Sequence, residues 1–268
     1  MNFPYRNRAL RSISLVLSLL TLVTISYGQT KSSDRQAEGV LQKAIQNLGG
    51  EKYLNVKSQV GRGKYSLFKD KALVSFQTFV DVIVFPDKER TEFKGGGKLT
   101  IQVNSGSGGW IYDGEVERVK DQTETQLKNF KQGIRTSLDN LLHGGWRSDA
   151  ELTYVGKRQA TLGKRNDVVK LIYKDGFIVE FEFAEGGTPV KAIHKRVSAD
   201  GNEITEEDRY AQFVDIGGVR TPFIIDRFTN NAPSSRINYE NIEFNRSIPE
   251  AIFVKPSSPK EAKRDIKF

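Results

Sequence analysis

The stretch that decides the fold class is residues 73–84, with the sequence LVSFQTFVDVIV. Its even-numbered positions are almost all apolar, whereas its odd-numbered positions mix apolar and polar side chains. A period of two is that of a β-strand, whose successive side chains point to opposite faces of the sheet. We therefore predict a long strand with one buried and one mixed face, which ends before Pro86.

The same alternation recurs along the rest of the chain. Glycine-rich or Asp-Gly turns separate the alternating segments, as is typical of hairpin connections. Hairpins join antiparallel strands, so we expect a mainly β (α+β) domain with about ten or eleven antiparallel strands. The further segments are residues 98–103, 110–112, 168–173, 177–183, 210–216, 219–228 and 237–244.

Two segments have helical rather than strand periodicity. Apolar residues repeat at a spacing of three and four from Ala37 to Leu48, and Gly49 and Gly50 then end the pattern. A second helix is predicted over residues 122–142, capped by Asp121 or Thr123. Its apolar stripe consists of Leu127, Phe130, Ile134, Leu138 and Leu141.

The N-terminus has the layout of a secretory signal peptide. Arg6, Arg8 and Arg11 precede an uncharged run, and small residues lie before a cleavage position after Gly28. An uncleaved anchor is the alternative. We expect residues 1–28 to be the signal peptide, 29–255 a single domain, and 256–268 a disordered tail.

Composition excludes several classes of chemistry. The chain has no cysteine, which rules out thiol catalysis, cysteine metal sites and a lipid anchor on an N-terminal cysteine. The net charge is +8. Because the lysines and arginines are scattered, we predict a basic surface that contacts anionic membranes transiently, and no nucleic-acid binding.

No constellation of catalytic or metal-binding residues is recognisable. The two histidines, His143 and His194, are far apart in the sequence, and a zinc site needs three or four ligands. Glu180 and Glu182 share one face of a strand, at a spacing that paired carboxylates of sugar hydrolysis could use. Alternating acids on a solvent face are the commoner explanation. We predict no catalytic residue, no metal and no cofactor.

The aromatic content suggests a different use of the fold. Sixteen phenylalanines, nine tyrosines and two tryptophans can form an ordinary core. They can also line an apolar cavity for acyl chains, if a curved sheet is closed by movable helices. The cavity candidates are Phe76, Phe79, Trp110, Tyr112, Leu127, Phe130, Ile134, Phe177, Val179, Phe181 and Phe183.

The order of these parts resembles a known superfamily. The relevant segments are Leu48-Gly49-Gly50, residues 86–90 (PDKER), 108–114 (GGWIYDG), 217–223 (GGVRTPF) and 248–253 (IPEAIF). Together they are similar to the periplasmic lipoprotein-carrier superfamily of diderm bacteria, the LolA- and LolB-like proteins, and more closely to its outer-membrane lipoprotein-sorting members.

The resemblance implies a curved, incomplete antiparallel β-barrel with helices covering its concave face. It also implies a monomeric periplasmic carrier that binds lipid or lipoprotein acyl chains, with an arginine that holds the helical lid; Arg90 is the nearest counterpart by order. Two alternatives stay open. One is a sensing or interaction module that contacts envelope proteins without lipid, and the other is a glycan hydrolase that uses Glu180 or Glu182.

Overall fold

The computed structural model describes residues 32–161, 163–198 and 200–264. The predicted signal peptide, residues 1–28, lies outside the described residues. Within them, no helix is both long enough and apolar enough to cross a membrane.

A single antiparallel sheet of thirteen strands dominates the structure. Its order is β6-β5-β4-β3-β2-β1-β13-β12-β11-β10-β9-β8-β7, so two meanders meet where β1 pairs with β13. The strands are β1 (Ser58–Lys69), β2 (Ala72–Val84), β3 (Lys88–Gly95), β4 (Lys98–Ser105), β5 (Gly108–Asp113), β6 (Arg118–Asp121), β7 (Ala150–Gln159), β8 (Arg165–Tyr173), β9 (Ile178–Phe183), β10 (Pro189–Val197), β11 (Glu203–Ile216), β12 (Val219–Thr229) and β13 (Ala232–Phe244).

The predicted fold class is confirmed, because β6 and β7 are the two ends of this order and the curved sheet stays unclosed in the described part of the chain. The strand number exceeds the prediction of about ten or eleven. Strands such as β3 and β6 escaped it because their sequences, KERTEFKG and RVKD, are too charged for apolar alternation to be visible.

Among the described residues, five α-helices accompany the sheet: α1 (Ser32–Leu48), α2 (Glu51–Leu54), α3 (Glu124–Thr136), α4 (Leu138–Leu142) and α5 (Pro259–Ala262). The helix predicted over residues 122–142 is thus two helices. Thr123 caps α3 in a capping box with Gln126. Ser137 adopts an extended backbone conformation, and its side chain caps α4 by accepting from the Asn140 amide, so the helix ends and restarts there.

The sheet has an inner face and an outer face, which the strand register defines. Side chains of directly paired residues lie on the same face. The inner face carries Phe79, Tyr239 and Phe181, and α1 packs against it. The outer face carries Val82, Val103 and Trp110.

The largest core lies between α1, α4 and the inner face of β7–β9. Leu41, Leu141, Leu171 and Phe181 are all at most 2% exposed there. The end of α1 also approaches the β11–β12 turn very closely: a Cβ on Gly49 would lie 2.2 Å from the Gly218 carbonyl oxygen. Only glycine fits this contact, and its φ of 124° also favours glycine.

The C-terminal segment, residues 246–264, packs on the outer face. Phe253 and Ala262 are 5% and 3% exposed and join a core with Ile101, Val103 and Tyr112. This corrects the disorder predicted from residue 256 for the part that is described. The few apolar side chains of a charged segment suffice to bury it when the sheet supplies an apolar surface. Residues 265–268 lie outside the described residues.

Candidate ligand-binding site

The structure divides the predicted cavity residues between the two faces of the sheet. Phe79, Val179, Phe181 and Phe183 lie on the inner face, whereas Phe76, Trp110 and Tyr112 lie on the outer face. They do not line one cavity, and this corrects the sequence interpretation. The spacing of Phe76 and Phe79 on a single strand already requires opposite faces, because three is an odd number of residues.

The outer-face members have other surroundings. Trp110 and Tyr112 are buried under the C-terminal segment, and the Trp110 indole Nε1 donates to the Phe253 carbonyl oxygen at 3.0 Å. Phe76 is 53% exposed near the end of the β1–β2 hairpin. None of these three side chains lies on the inner face, against which α1 packs.

Arg90 also lies on the outer face, and it holds the C-terminal segment rather than a helical lid. Its guanidinium donates to Glu92 Oε1 at 2.7 and 3.0 Å and to the Ile252 carbonyl oxygen at 3.1 Å. It also lies 5.4 Å from the centre of the Trp110 ring. The lid-holding role inferred from the resemblance is therefore corrected. The order of residues along the chain did not reveal on which face Arg90 lies.

The inner face itself has two parts. Under α1 it is covered: Val179, Phe181 and Phe183 are between 0% and 1% exposed, so they are core residues. The second part, which we call the open inner face, consists of half-buried apolar side chains around the buried Phe79 and Tyr239. These side chains are Tyr65, Phe93, Phe223, Ile225 and Ile237.

Helix α3 presents an apolar stripe that is not packed into a core. Leu127, Phe130 and Ile134 are half-buried, and none of them belongs to the three core clusters formed by the described residues. The helix contacts α4 and β10. Phe177 is half-buried beside it, with its ring edge-on to His194 at 5.8 Å.

Arg227 and Asp208 lie in the middle of the inner face and pair at 3.5 Å between Nε and Oδ1. Their side chains remain 44% and 32% exposed, yet burial raises the pKa of Asp208, an effect that Arg227 partly offsets. The pair therefore lies on a partly accessible stretch of the inner face, where the surrounding protein disfavours the charged carboxylate.

A pair of carboxyl groups, Asp81 and Glu89, lies near Arg227 on the same face. Asp81 is 6% exposed and accepts a hydrogen bond from Thr91 Oγ1 at 2.8 Å. Burial, and then the charge of Glu89, raise the pKa of Asp81 well above its ordinary value; burial likewise raises the pKa of Glu89. Two such groups share a proton more readily than both ionise.

Four residues of this surface were not predicted from the sequence: Asp81, Glu89, Asp208 and Arg227. One signal was available for Asp81, which is the only charged residue within the strand at 73–84 and lies between Phe79 and Ile83 on the inner face. No local pattern connects it with Asp208 and Arg227, which come from strands on the other side of the sheet.

The glutamates and the histidine considered above for catalysis and metal binding form ion pairs with other side chains. On the outer face, Arg158 donates to both Glu180 and Glu182 at 2.7 Å, so neither carboxylate is available as a catalytic acid–base pair. His194 pairs with Glu206 at 3.3 Å and, together with Arg196, lowers the pKa of Glu206 to about 2. The described part of the chain contains no cluster of His, Asp and Glu suited to a metal ion.

Two surface hollows lie away from the open inner face. One, of about 300 Å³, lies between α1 and β8–β9 and is lined largely by polar groups such as Lys43, Lys157 and Asp167. The other, of about 400 Å³, lies at the β3–β4 turn. Of the predicted cavity residues, only Phe183 lines either hollow.

Comparison with solved structures identifies the architecture. A LolA superfamily protein from Nitrosomonas europaea is similar over 82% of this chain and 97% of its own, with 16% identity and a TM-score of 0.55. An outer membrane lipoprotein-sorting protein domain from Vibrio parahaemolyticus matches over 81% and 97%, with 11% identity and a TM-score of 0.54. A DUF1329 family protein from Desulfovibrio piger matches over 81% and 97%, with 10% identity and a TM-score of 0.58.

Sequence comparison adds nothing further, since no family model and no curated protein matches the chain. At 10–16% identity, the structural likeness concerns the backbone arrangement alone. The chain therefore has the LolA-like fold that its sequence resemblance implied.

Proposed function

We propose that this protein is a periplasmic carrier that binds acyl chains of a lipid or lipoprotein at the open inner face, with α3 as a movable cover. The observation that carries the proposal is that two surfaces carry half-buried apolar side chains that are not packed into a core by another element. Tyr65, Phe93 and Ile225 supply one of these surfaces and the α3 stripe supplies the other.

An acyl chain is the ligand that this arrangement favours energetically. Burying each methylene contributes about 0.8 kcal/mol, and the half-buried side chains on both surfaces would lose their remaining contact with water as well. The adjoining Arg227 and Asp208 offer a polar end, where a headgroup can hydrogen-bond while the chain lies on apolar side chains.

The side-chain contacts that hold α3 lie at its C-terminal end, which suits a cover that opens. At its C-terminal end, Arg135 donates to both carboxylate oxygens of Asp175 at 2.7 and 2.8 Å and lies 3.8 Å from the Tyr173 ring centre. The capping box at Thr123 defines the other end. The apolar stripe between these ends can therefore separate from the sheet without breaking a core.

The test is binding of a dansyl-labelled fatty acid, measured by fluorescence. Ile225→Asp places a charge in the open inner face and is expected to weaken binding at least tenfold, because an unpaired carboxylate is costly beside an acyl chain. Val197→Asp, at a position that is 71% exposed, is the matched control and should leave binding unchanged. Equal affinities for the two variants would contradict the proposal.

Native mass spectrometry of protein prepared from its own compartment gives a second test. Bound lipid adds mass to the folded protein, and the Ile225→Asp variant should lack that addition. Absence of added mass from the unsubstituted protein, together with failure to bind the dansyl fatty acid, would favour an envelope-sensing or protein-interaction module of the same fold.

A further inference from the structure

Strand β2 has an unpaired edge where the β1–β2 hairpin extends beyond β3. The pairing of β2 with β3 covers residues from Thr78 to Val84 only, while β2 pairs with β1 as far as Ala72. On the side of β3, residues 72–77 therefore have no strand partner among the described residues. We call this the free edge.

The backbone of Phe76 faces this free edge. Its carbonyl oxygen would lie 3.1 Å from a Cβ on Gly95, the last residue of β3. In antiparallel pairing, the N–H and C=O of one residue point to the same side. Both groups of Phe76 are consequently directed toward the missing partner.

The free edge is also apolar, unlike the two terminal edges of the sheet. Leu73, Val74 and Phe76 are 56%, 59% and 53% exposed, and residues 72–77 (ALVSFQ) include neither a charge nor a proline. By contrast, β6 is short and charged, and β7 carries Lys157 and Arg158 and packs against α1. Natural proteins protect exposed edges in these ways, and residues 72–77 have none of these protections.

The β3–β4 turn next to the free edge carries no bulky side chain. The adjoining β3–β4 turn is formed by glycines, and a Cβ on Gly96 or Gly97 would meet no atom within 4 Å. The hollow of about 400 Å³ described above lies at this turn. An added strand would therefore not collide with side chains of the turn.

We propose that the free edge binds an extended segment of a partner protein, which adds to the sheet as a strand beside β2. Main-chain hydrogen bonds to Phe76 would supply affinity, and the exposed side chains on either face would select apolar residues at alternate positions. Lys69, Lys71 and Lys94 surround the site and form no ion pair with any described residue. The positive charge of these lysines favours a segment with acidic residues at its ends.

This inference goes beyond lipid carriage and does not depend on it, because the free edge and the open inner face are formed by different residues. A bilayer surface would also meet exposed apolar and basic groups, but it cannot use the directed N–H and C=O groups of an unpaired strand. The unpaired backbone therefore favours a polypeptide.

The experiment uses the full chain and a synthetic peptide of alternating valine and threonine with a glutamate at each end. Fluorescence anisotropy gives the affinity, and hydrogen exchange locates the contact. Phe76→Pro removes the edge N–H, whereas Phe76→Val keeps it and loses a similar amount of side chain. Proline is tolerated on an edge whose N–H faces solvent, and thermal melting checks that both variants are folded.

We expect slowed exchange within residues 72–77 when the peptide is added, and affinity about tenfold or more weaker for Phe76→Pro than for Phe76→Val. The Ile225→Asp variant should bind the peptide normally even if it no longer binds fatty acid. Equal affinity of the two Phe76 variants, or no protection at millimolar peptide, would overturn the proposal. Binding to phosphatidylglycerol vesicles that is equal in the two variants, without peptide binding, would identify a membrane contact instead.

Discussion

The covered and open parts of the inner face are built from the same kind of sequence but have different surroundings. In the covered part, Phe181 and Phe183 belong to the same core as the apolar side chains of α1 and are each 1% exposed. In the open part, Phe93 and Ile225 come from equally regular strands and remain half-buried. The difference lies in what packs above the strands. An aromatic side chain on a sheet becomes core or ligand-binding surface according to whether another element covers it.

Helix α1 covers the first part of the inner face, and the proposed ligand binds to the open part. A protein of this size can stabilise itself on part of a sheet and leave the rest for binding, provided the covered part contributes most of the stability. The comparison therefore predicts that stability and ligand binding depend on different residues of one face.

The largest effect is expected from truncating matched phenylalanines in the two parts. Phe181→Ala should lower the free energy of unfolding by about 4 kcal/mol, because a fully packed ring leaves a cavity. Phe93→Ala, at a half-buried position, should cost about 1 kcal/mol and weaken fatty-acid binding more than Phe181→Ala does. Urea unfolding and dansyl fatty-acid titration measure the two quantities. Similar losses of stability would eliminate the distinction between the two parts.

An intermediate loss of stability is expected from a substitution on the outer face. The contacts of this face should not influence either part of the inner face. Arg90→Ala leaves Glu92 unpaired, with its side chain only 13% exposed, and should lower the free energy of unfolding by about 3 kcal/mol. Limited proteolysis should then cleave within residues 246–264. Fatty-acid binding should not change.

Lys263→Ala serves as the control for Arg90→Ala, since its ion pair with Glu117 is exposed on both sides. It should leave the free energy of unfolding almost unchanged. A loss of fatty-acid affinity in folded Arg90→Ala would instead restore the lid-holding interpretation.

The smallest effect is expected from the carboxyl pair beside the open part. The raised pKa of Asp81 means that the folded state holds its proton more tightly than the unfolded state does. Stability therefore falls as the pH rises from about 4, the ordinary carboxyl value, through the raised pKa. Asp81→Asn removes this decrease and should be about 1 kcal/mol more stable than the original protein at pH 8, with the difference vanishing below about pH 4.

Urea unfolding across this pH range measures the Asp81→Asn prediction. Thr91→Ser is a useful control, because it retains the hydroxyl that donates to Asp81. A variant that is less stable than the original protein at every pH would show that the open inner face does not disfavour the charged carboxylate.

Local features were predictable because they depend on residues close together in the chain. The alternation at 73–84 corresponds to β2, and the glycines after Leu48 correspond to the end of α1. Thr123 was recognisable as a helix cap from its sequence neighbours. The order of elements along the chain was also sufficient to recognise the LolA-like fold.

The predictions were wrong where they required the register between two strands that are distant in sequence. Trp110 and Phe181 are both apolar members of regular strands, but only the register across the sheet places them on opposite faces. The same holds for Arg90, whose partners Ile252 and Ala262 are distant in sequence.

The sequence by itself thus determined the strands, helix ends and turns, because backbone sterics and side-chain periodicity act over a few residues. Only the tertiary structure decided which face each aromatic side chain occupies, where the C-terminal segment docks, and that Asp81, Asp208 and Arg227 meet on one surface. Those outcomes depend on pairing between distant strands and on which surfaces are left uncovered, and neither is encoded in a local pattern.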